Sequence, residues 1–296
     1  MAKLNKSLVT LARQAGGSFK TVSDRMKIAD RLADSLLKMN IQIRDAGNLK
    51  TNHIALYVRS RLAEKITKRT MQNEMAAIRA VLRMAGKTFM ANPAHEKLSN
   101  NALGISGTSR EGTKVAIPRD VYESVLETVR SVDAGAAAAM ELSRHLGLRT
   151  EETIQSVKSL KTWQKAIING QEKIRVVFGT KGGRARDTTI IDRDALIRIV
   201  NNAIRIAEGN NGKLIDKPGL HLAIERYRNI VREAGLVGKY APHSLRYAYS
   251  RDATEHHIKN GFSQKEAEAL VSMDLGHGDG RGHYVARVYN KTGGDE

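Results

Sequence analysis

The chain has 296 residues, of which 41% are apolar, 4% aromatic and none cysteine. That length supports two domains with mostly aliphatic cores, and the lack of cysteine excludes disulfides, thiolate metal sites and cysteine nucleophiles, as fits a reducing cytoplasm. A net charge of +18 points to a polyanionic partner, DNA or RNA; the other polyanion, a membrane surface, is disfavoured because no basic amphipathic anchor, lipidation signal or spanning apolar run is found.

In chain order, residues 4–15 and 19–41 read as helices. In the second, Lys27, Arg31 and Lys38 fall within about 40° of one another on the helical wheel, opposite a stripe of Ile28, Leu32, Leu36 and Met39. Thr51 starts a third helix, to about Ala63. Thr67 or Thr70 starts a fourth, next to Lys68 and Arg69, in which Met71, Met75, Ile78, Leu82 and Ala85 repeat at helical spacing. Residues 1–114 carry 21 basic and 8 acidic side chains, a net +13, whereas residues 115–296 carry only a net +5. A solvated helix surface accounts for one basic stripe alone; the charge of the whole region points to DNA, with Lys27, Arg31, Lys38, Lys68 and Arg69 as contacts.

Residues 99–114 are poor in apolar side chains and rich in turn formers, and read as a linker. Pro118 then opens a helix with Asp120 and Glu123 in its first turns. Further helices are expected over 134–146, 151–157, 193–208, 219–234, 243–258 and 263–273. Strands are expected over 173–178 and 187–191 around a glycine-rich turn. The expectation is a mainly α fold with a small β-hairpin: a helical DNA-binding bundle over 1–98, a linker over 99–114 and an α+β domain over 115–296.

Four segments of that second domain carry chemistry. In His145-Leu-Gly-Leu-Arg149-Thr-Glu-Glu152, a glycine turn aims Arg149, whose guanidinium fork suits two phosphate oxygens while Glu152 steadies it. An ordinary capping box with a solvated arginine reads the same residues structurally. In Gly179-Thr-Lys181-Gly-Gly, Lys181 sits at a hairpin tip, able to give a proton to a leaving alkoxide or merely to touch DNA with Arg184 and Arg186. The nucleotide motif G-x-x-x-x-G-K-[ST] is absent. His243 and Arg246 share one helical face after Pro242, and Leu275-Gly-His277 ends a helix. Tyr247 and Tyr249 read as core residues. Tyr289 and Tyr284 compete as nucleophile, since a phenol with a pKa near ~10 needs cationic neighbours to react at neutral pH. No metal site is expected: His277 and His283 lack further ligands at a strong spacing.

In order and spacing, Arg149, Lys181, His243-x-x-Arg246, His277 and Tyr289 resemble the tyrosine recombinase (phage integrase) family over nearly the whole chain. The resemblance implies a helical core-binding domain and a catalytic domain forming a clamp on duplex DNA, with a homotetramer on the recombination site. Tyr289 would attack the scissile phosphate, giving a 3′-phosphotyrosyl bond and a free 5′-hydroxyl, with no cofactor. Arg149 and Arg246 would stabilise the phosphorane. Lys181 would be the general acid and His243 the general base or second proton carrier, and His277 would bond a non-bridging oxygen. The sequence departs from the pattern at Tyr247, where the family often has histidine, and at the tail Lys291–Glu296, too short for a docking helix. Tyr289 lies farther from His277, and Tyr284 closer, than the family's tyrosine; the context Val288-Tyr289-Asn-Lys favours Tyr289. An integrase of a phage or mobile element is the reading, with an invertase or chromosome-dimer resolvase as the relative within the family. Outside it stand a DNA-binding protein without catalysis and a metal-dependent nuclease.

Overall fold

A computed structural model describes residues 3–109, 112 and 114–290, in two compact units, 1–110 and 111–296. The tail Lys291–Glu296 and part of the expected linker lie outside the described residues.

The first unit is built on the helices α1 (Lys3–Gln14), α2 (Phe19–Lys38), α3 (Thr51–Ala63) and α4 (Lys68–Met84). Ser18 and Thr67 cap α2 and α4 by accepting the Thr21 and Thr70 amides. The apolar stripes meet in one aliphatic core around Leu8, Leu32, Leu36, Ile54, Met71, Met75 and Leu82. Glu74 is buried among these helices, where it accepts from Arg31 (2.6 Å), Arg61 (3.0 Å) and the Tyr57 hydroxyl (2.6 Å). Burial opposes its ionisation, but the hydrogen bonds from Arg61 and Tyr57 outweigh this and lower its pKa.

Residues 99–108, read from sequence as linker, are packed against α4. Buried Arg79 donates to Leu98 O (2.8 Å) and Asn100 Oδ1 (3.0 Å), and Gln72 donates to Ile105 O (2.7 Å). Leu98 and Ile105 enter the core. Turn-forming composition correctly marks the absence of a regular element here. It does not report that backbone carbonyls of an irregular stretch satisfy polar groups on a helix.

The second unit has α5 (Arg119–Val132), α6 (Ala134–Leu146), α7 (Thr150–Gln155), α8 (Leu160–Ile168), β1 (Lys173–Val176), β2 (Arg186–Thr189), α9 (Arg193–Glu208), α10 (Leu220–Glu233), α11 (Ser244–Lys259) and α12 (Gln264–Asp274). A short helix, Gly282–Tyr284, runs into a π-helical turn at Val285–Tyr289. The strands pair antiparallel with Ile174 opposite Thr188 and Val176 opposite Arg186. The mainly α architecture with one small hairpin is the expected one. Helix α8 is an addition to it: Leu160, Trp163 and Ile167 line one buried face at i, i+3 and i+7, and the Trp163 indole donates to Arg175 O (2.8 Å).

Helix α6, alanine-rich and capped by Asp133 on the Ala136 amide (2.9 Å), is the central helix of the unit and is buried along most of its length. Its small side chains let α5, α9 and α11 approach closely. It ends at Gly147, whose φ of +58° suits glycine; a Cβ there would also stand 2.5 Å from the Tyr249 ring. This turn points the following residues, Arg149 to Glu152, toward α11 and the end of α12.

Candidate active site

Arg246 lies on α11, wholly buried. Its guanidinium donates to Gly147 O and Leu275 O, and its Nε is 3.4 Å from the Tyr289 hydroxyl. Arg149 precedes α7 and is one quarter exposed; it donates to Glu152 Oε1 (2.6 Å) and Leu275 O (3.1 Å). The other oxygen of Glu152 accepts the Arg149 amide (2.8 Å), so this carboxylate is at once a helix cap and the support of the guanidinium.

Three groups meet at Tyr289 Oη. His277 Nε2 is 3.1 Å away, His243 Nε2 3.4 Å and Arg246 Nε 3.4 Å. Tyr289 is buried, and its ring packs 4.5 Å from Tyr247 and 5.9 Å from the Arg246 guanidinium carbon. Tyr284 stands 5.0 Å from the His277 ring, centroid to centroid, and makes none of these hydroxyl contacts. The π-helical turn carries Tyr289 back beneath the histidines; such bulges are frequent at functional sites.

The electrostatics follow from one carboxylate among several cations. Burial would push Glu152 up, but Arg186, Arg246 and Arg149 hold it at about 2. Burial lowers Arg246 to about 10, which still leaves it charged at neutral pH. His277 is pushed down to about 3 by desolvation and then by Arg246 and Arg149. His243 is exposed at the rim, but its ring packs against Tyr247, and desolvation, Arg246, Arg149 and Lys114 bring it to about 4. Both imidazoles are thus neutral at pH 7, each with a nitrogen facing the phenol.

Lys181 is exposed at the hairpin tip on a 3-10 turn, Lys181–Gly183, and shares no hydrogen bond or ion pair with the other five groups. Arg184, Lys27, Lys38, Lys68 and Arg69 are exposed and form no ion pair among the described residues. Arg31 is exposed too, with one guanidinium nitrogen committed to Glu74. Arg186 corrects the sequence reading. Expected to touch DNA, it is buried, donating to Gly147 O (3.1 Å), Glu152 Oε2 (2.9 Å) and Asp274 O. Strand alternation places it on the same face as Thr188 and Ile190, a signal that the count of basic residues near the turn obscures.

Sequence reasoning also missed the network behind the site. Asp274 occupies the buried stripe of α12 with Ala267 and Val271. Its carboxylate accepts from Lys173 (3.3 Å) and lies 3.1 Å from the Tyr249 hydroxyl. A carboxylate at an apolar-stripe position, just before Leu275-Gly276-His277, is the available signal. Among the described residues no three His, Cys, Asp or Glu side chains converge as a metal site, and no helix is long and apolar enough to cross a membrane.

Both the sequence and the fold resemble known proteins. A sequence model described as Integrase matches residues 104–252, and one described as Phage integrase, N-terminal, matches residues 1–91. No curated protein matches in sequence. The fold is similar to a lambda integrase dimer bound to a COC′ core site (TM-score 0.60, 18% identity, 99% of this chain and 78% of that one). It is also similar to the Tn1549 transposon integrase in complex with transposon right end DNA (TM-score 0.59, 13% identity, 92% of each chain). The protein is a site-specific DNA recombinase, an enzyme of strand exchange. It belongs to the phage integrase family of tyrosine recombinases.

Proposed function

We propose that this recombinase cuts and rejoins duplex DNA through a 3′-phosphotyrosyl intermediate on Tyr289, integrating or excising a phage or other mobile element. The observation that carries this reading is the Tyr289 hydroxyl within 3.1–3.4 Å of His277, His243 and Arg246, all of one chain.

The phenolic oxygen attacks phosphorus as its proton passes to the neutral imidazole of His243. The bond to the 5′-oxygen breaks, and Lys181, swung in on its hairpin, protonates that oxygen. Arg149 and Arg246 neutralise the equatorial oxygens as charge builds, and His277 donates to one of them. Each such contact is worth roughly 3–4 kcal/mol in the transition state. The 5′-hydroxyl of a partner strand reverses the step, so the ester energy is conserved. The exposed cations Lys27, Arg31, Lys38, Lys68, Arg69 and Arg184 bind backbone phosphates. The two similar integrases are DNA complexes, one of them a dimer, and another lambda integrase structure, a tetramer on a Holliday junction, supports a homotetramer on the recombination site.

A nicked suicide substrate tests the reading. The wild-type chain accumulates a covalent protein–DNA adduct in EDTA, with the modified peptide containing Tyr289. Tyr289→Phe yields no adduct and binds DNA as before. An adduct that persists in Tyr289→Phe and disappears in Tyr284→Phe transfers the nucleophile to Tyr284.

A further inference from the structure

Three guanidiniums surround Glu152, those of Arg149, Arg186 and Arg246, and of these Arg246 touches the tyrosine. Arg186, on β2, is 3% exposed at its side chain and is out of reach of DNA. Its acceptors are Gly147 O before the first arginine, Glu152 itself and Asp274 O at the end of α12. One side chain thus joins the turn after α6, the start of α7 and the residue preceding Leu275-Gly276-His277. Gly276 makes room for it: φ is +66°, and a Cβ there would stand 2.9 Å from Arg186 Cδ.

The division of Glu152 matters most. Oε1 holds Arg149 at 2.6 Å, and Oε2 holds Arg186 at 2.9 Å. Arg246 stays 3.9 Å from Oε2, beyond hydrogen-bond reach; three of its five N–H donors meet Gly147 O, Leu275 O and the Tyr289 hydroxyl. With Arg186 removed, Oε2 keeps the Arg149 amide but no charged donor within hydrogen-bond reach in a buried place, and Arg246, 3.9 Å away, is a cation placed to answer it. Three guanidiniums against one carboxylate leave +2 at the site; two leave +1.

We propose that Arg186 is a positioning residue for strand cutting: it neutralises Glu152 from behind and ties the Arg149 segment to the one that carries His277, so that Arg149 and Arg246 keep their charge and aim for the scissile phosphate. The proposal rests on the phosphotyrosyl reading above. Lysine, a point charge on a flexible stem, cannot span the three acceptors that a planar fork reaches.

Single-turnover adduct formation on the nicked substrate, with DNA affinity measured in parallel, tests it. Arg186→Met is expected to slow adduct formation roughly 10–100-fold, as loss of a supporting partner behind a reactive group does, with DNA affinity unchanged. Arg186→Lys falls between. In a Glu152→Gln background, where no buried carboxylate needs an answer, the same Arg186→Met change costs less. Wild-type rates in Arg186→Met, or an equal cost in both backgrounds, overturn the proposal. Should Arg186→Met fail to fold, Arg186→Lys in the two backgrounds decides by the same criterion. A wild-type chain that forms no adduct overturns the phosphotyrosyl reading and this proposal with it, an outcome distinct from normal cutting by the Arg186 variants.

Discussion

Glu152 bears one negative charge among Arg149, Arg186 and Arg246, and His243 and His277 face the same cations as neutral rings. These groups tie stability to pH in one direction. An unfolded histidine takes up its proton near pH 6.5, whereas folded His243 and His277 resist until about 4 and 3. Between those values the unfolded chain binds more protons, so stability is complete above pH 6.5 and is lost as the pH falls. Glu152 extends the loss, from its unfolded value of 4.5 down to about 2. Urea unfolding followed by Trp163 fluorescence, which reports on the second unit, should show a midpoint that declines steadily from pH 7 to pH 4. The same series in His277→Asn should decline less. A midpoint constant over that range would mean the rings are not held neutral by burial and their cationic neighbours.

At the scale of elements, the hairpin has two jobs set by the two faces of one short strand and its turn. The inner face of β2 sends Arg186 beneath the site, and the tip presents Lys181 to solvent. A buried end anchors the hairpin while the exposed end is left to meet the substrate. If Lys181 is the proton donor to the leaving oxygen, Lys181→Ala should slow adduct formation by about 10²–10⁴-fold, the usual worth of general acid catalysis. A substrate with sulfur at the 5′-bridging position needs no such proton, because a thiolate is a far better leaving group than an alkoxide. It should react with Lys181→Ala and with the wild-type chain at similar rates. An equal defect on both substrates would assign Lys181 to phosphate contact instead.

For the molecule as a whole, charge is concentrated where chemistry is not. The net +13 of residues 1–114 sits mainly on the exposed faces of a helical bundle, and the second unit carries the reacting groups with a far smaller excess. Affinity for DNA should therefore fall steeply with salt, as counterions released from the duplex are returned. Replacing Lys27 and Lys38 together by alanine should lower the slope of log K against log salt by about two, one for each phosphate no longer neutralised. Rates of adduct formation at saturating DNA should stay near wild type. An unchanged slope would place the DNA on another face of the bundle.

Much of this was legible without coordinates. Helical periodicity marks most of the helices because a one-sided apolar stripe is what a core demands of a helix. The order Arg149, Lys181, His243, Arg246, His277, Tyr289 identifies the family because phosphoryl chemistry constrains residue type at each position. Left undecided was anything that depends on which distant groups become neighbours. Arg186 and Arg184 look alike in sequence, two basic residues by a glycine turn, yet only Arg186 is turned inward, where Gly147, Glu152 and Asp274 await it. Asp274 likewise reads as a polar residue at a helix end until Lys173 and Tyr249 are seen beside it. A side chain's chemistry is local and can be read along the chain; its charge state, its partner and its access to substrate are set by the low-dielectric surroundings that only the folded chain assembles.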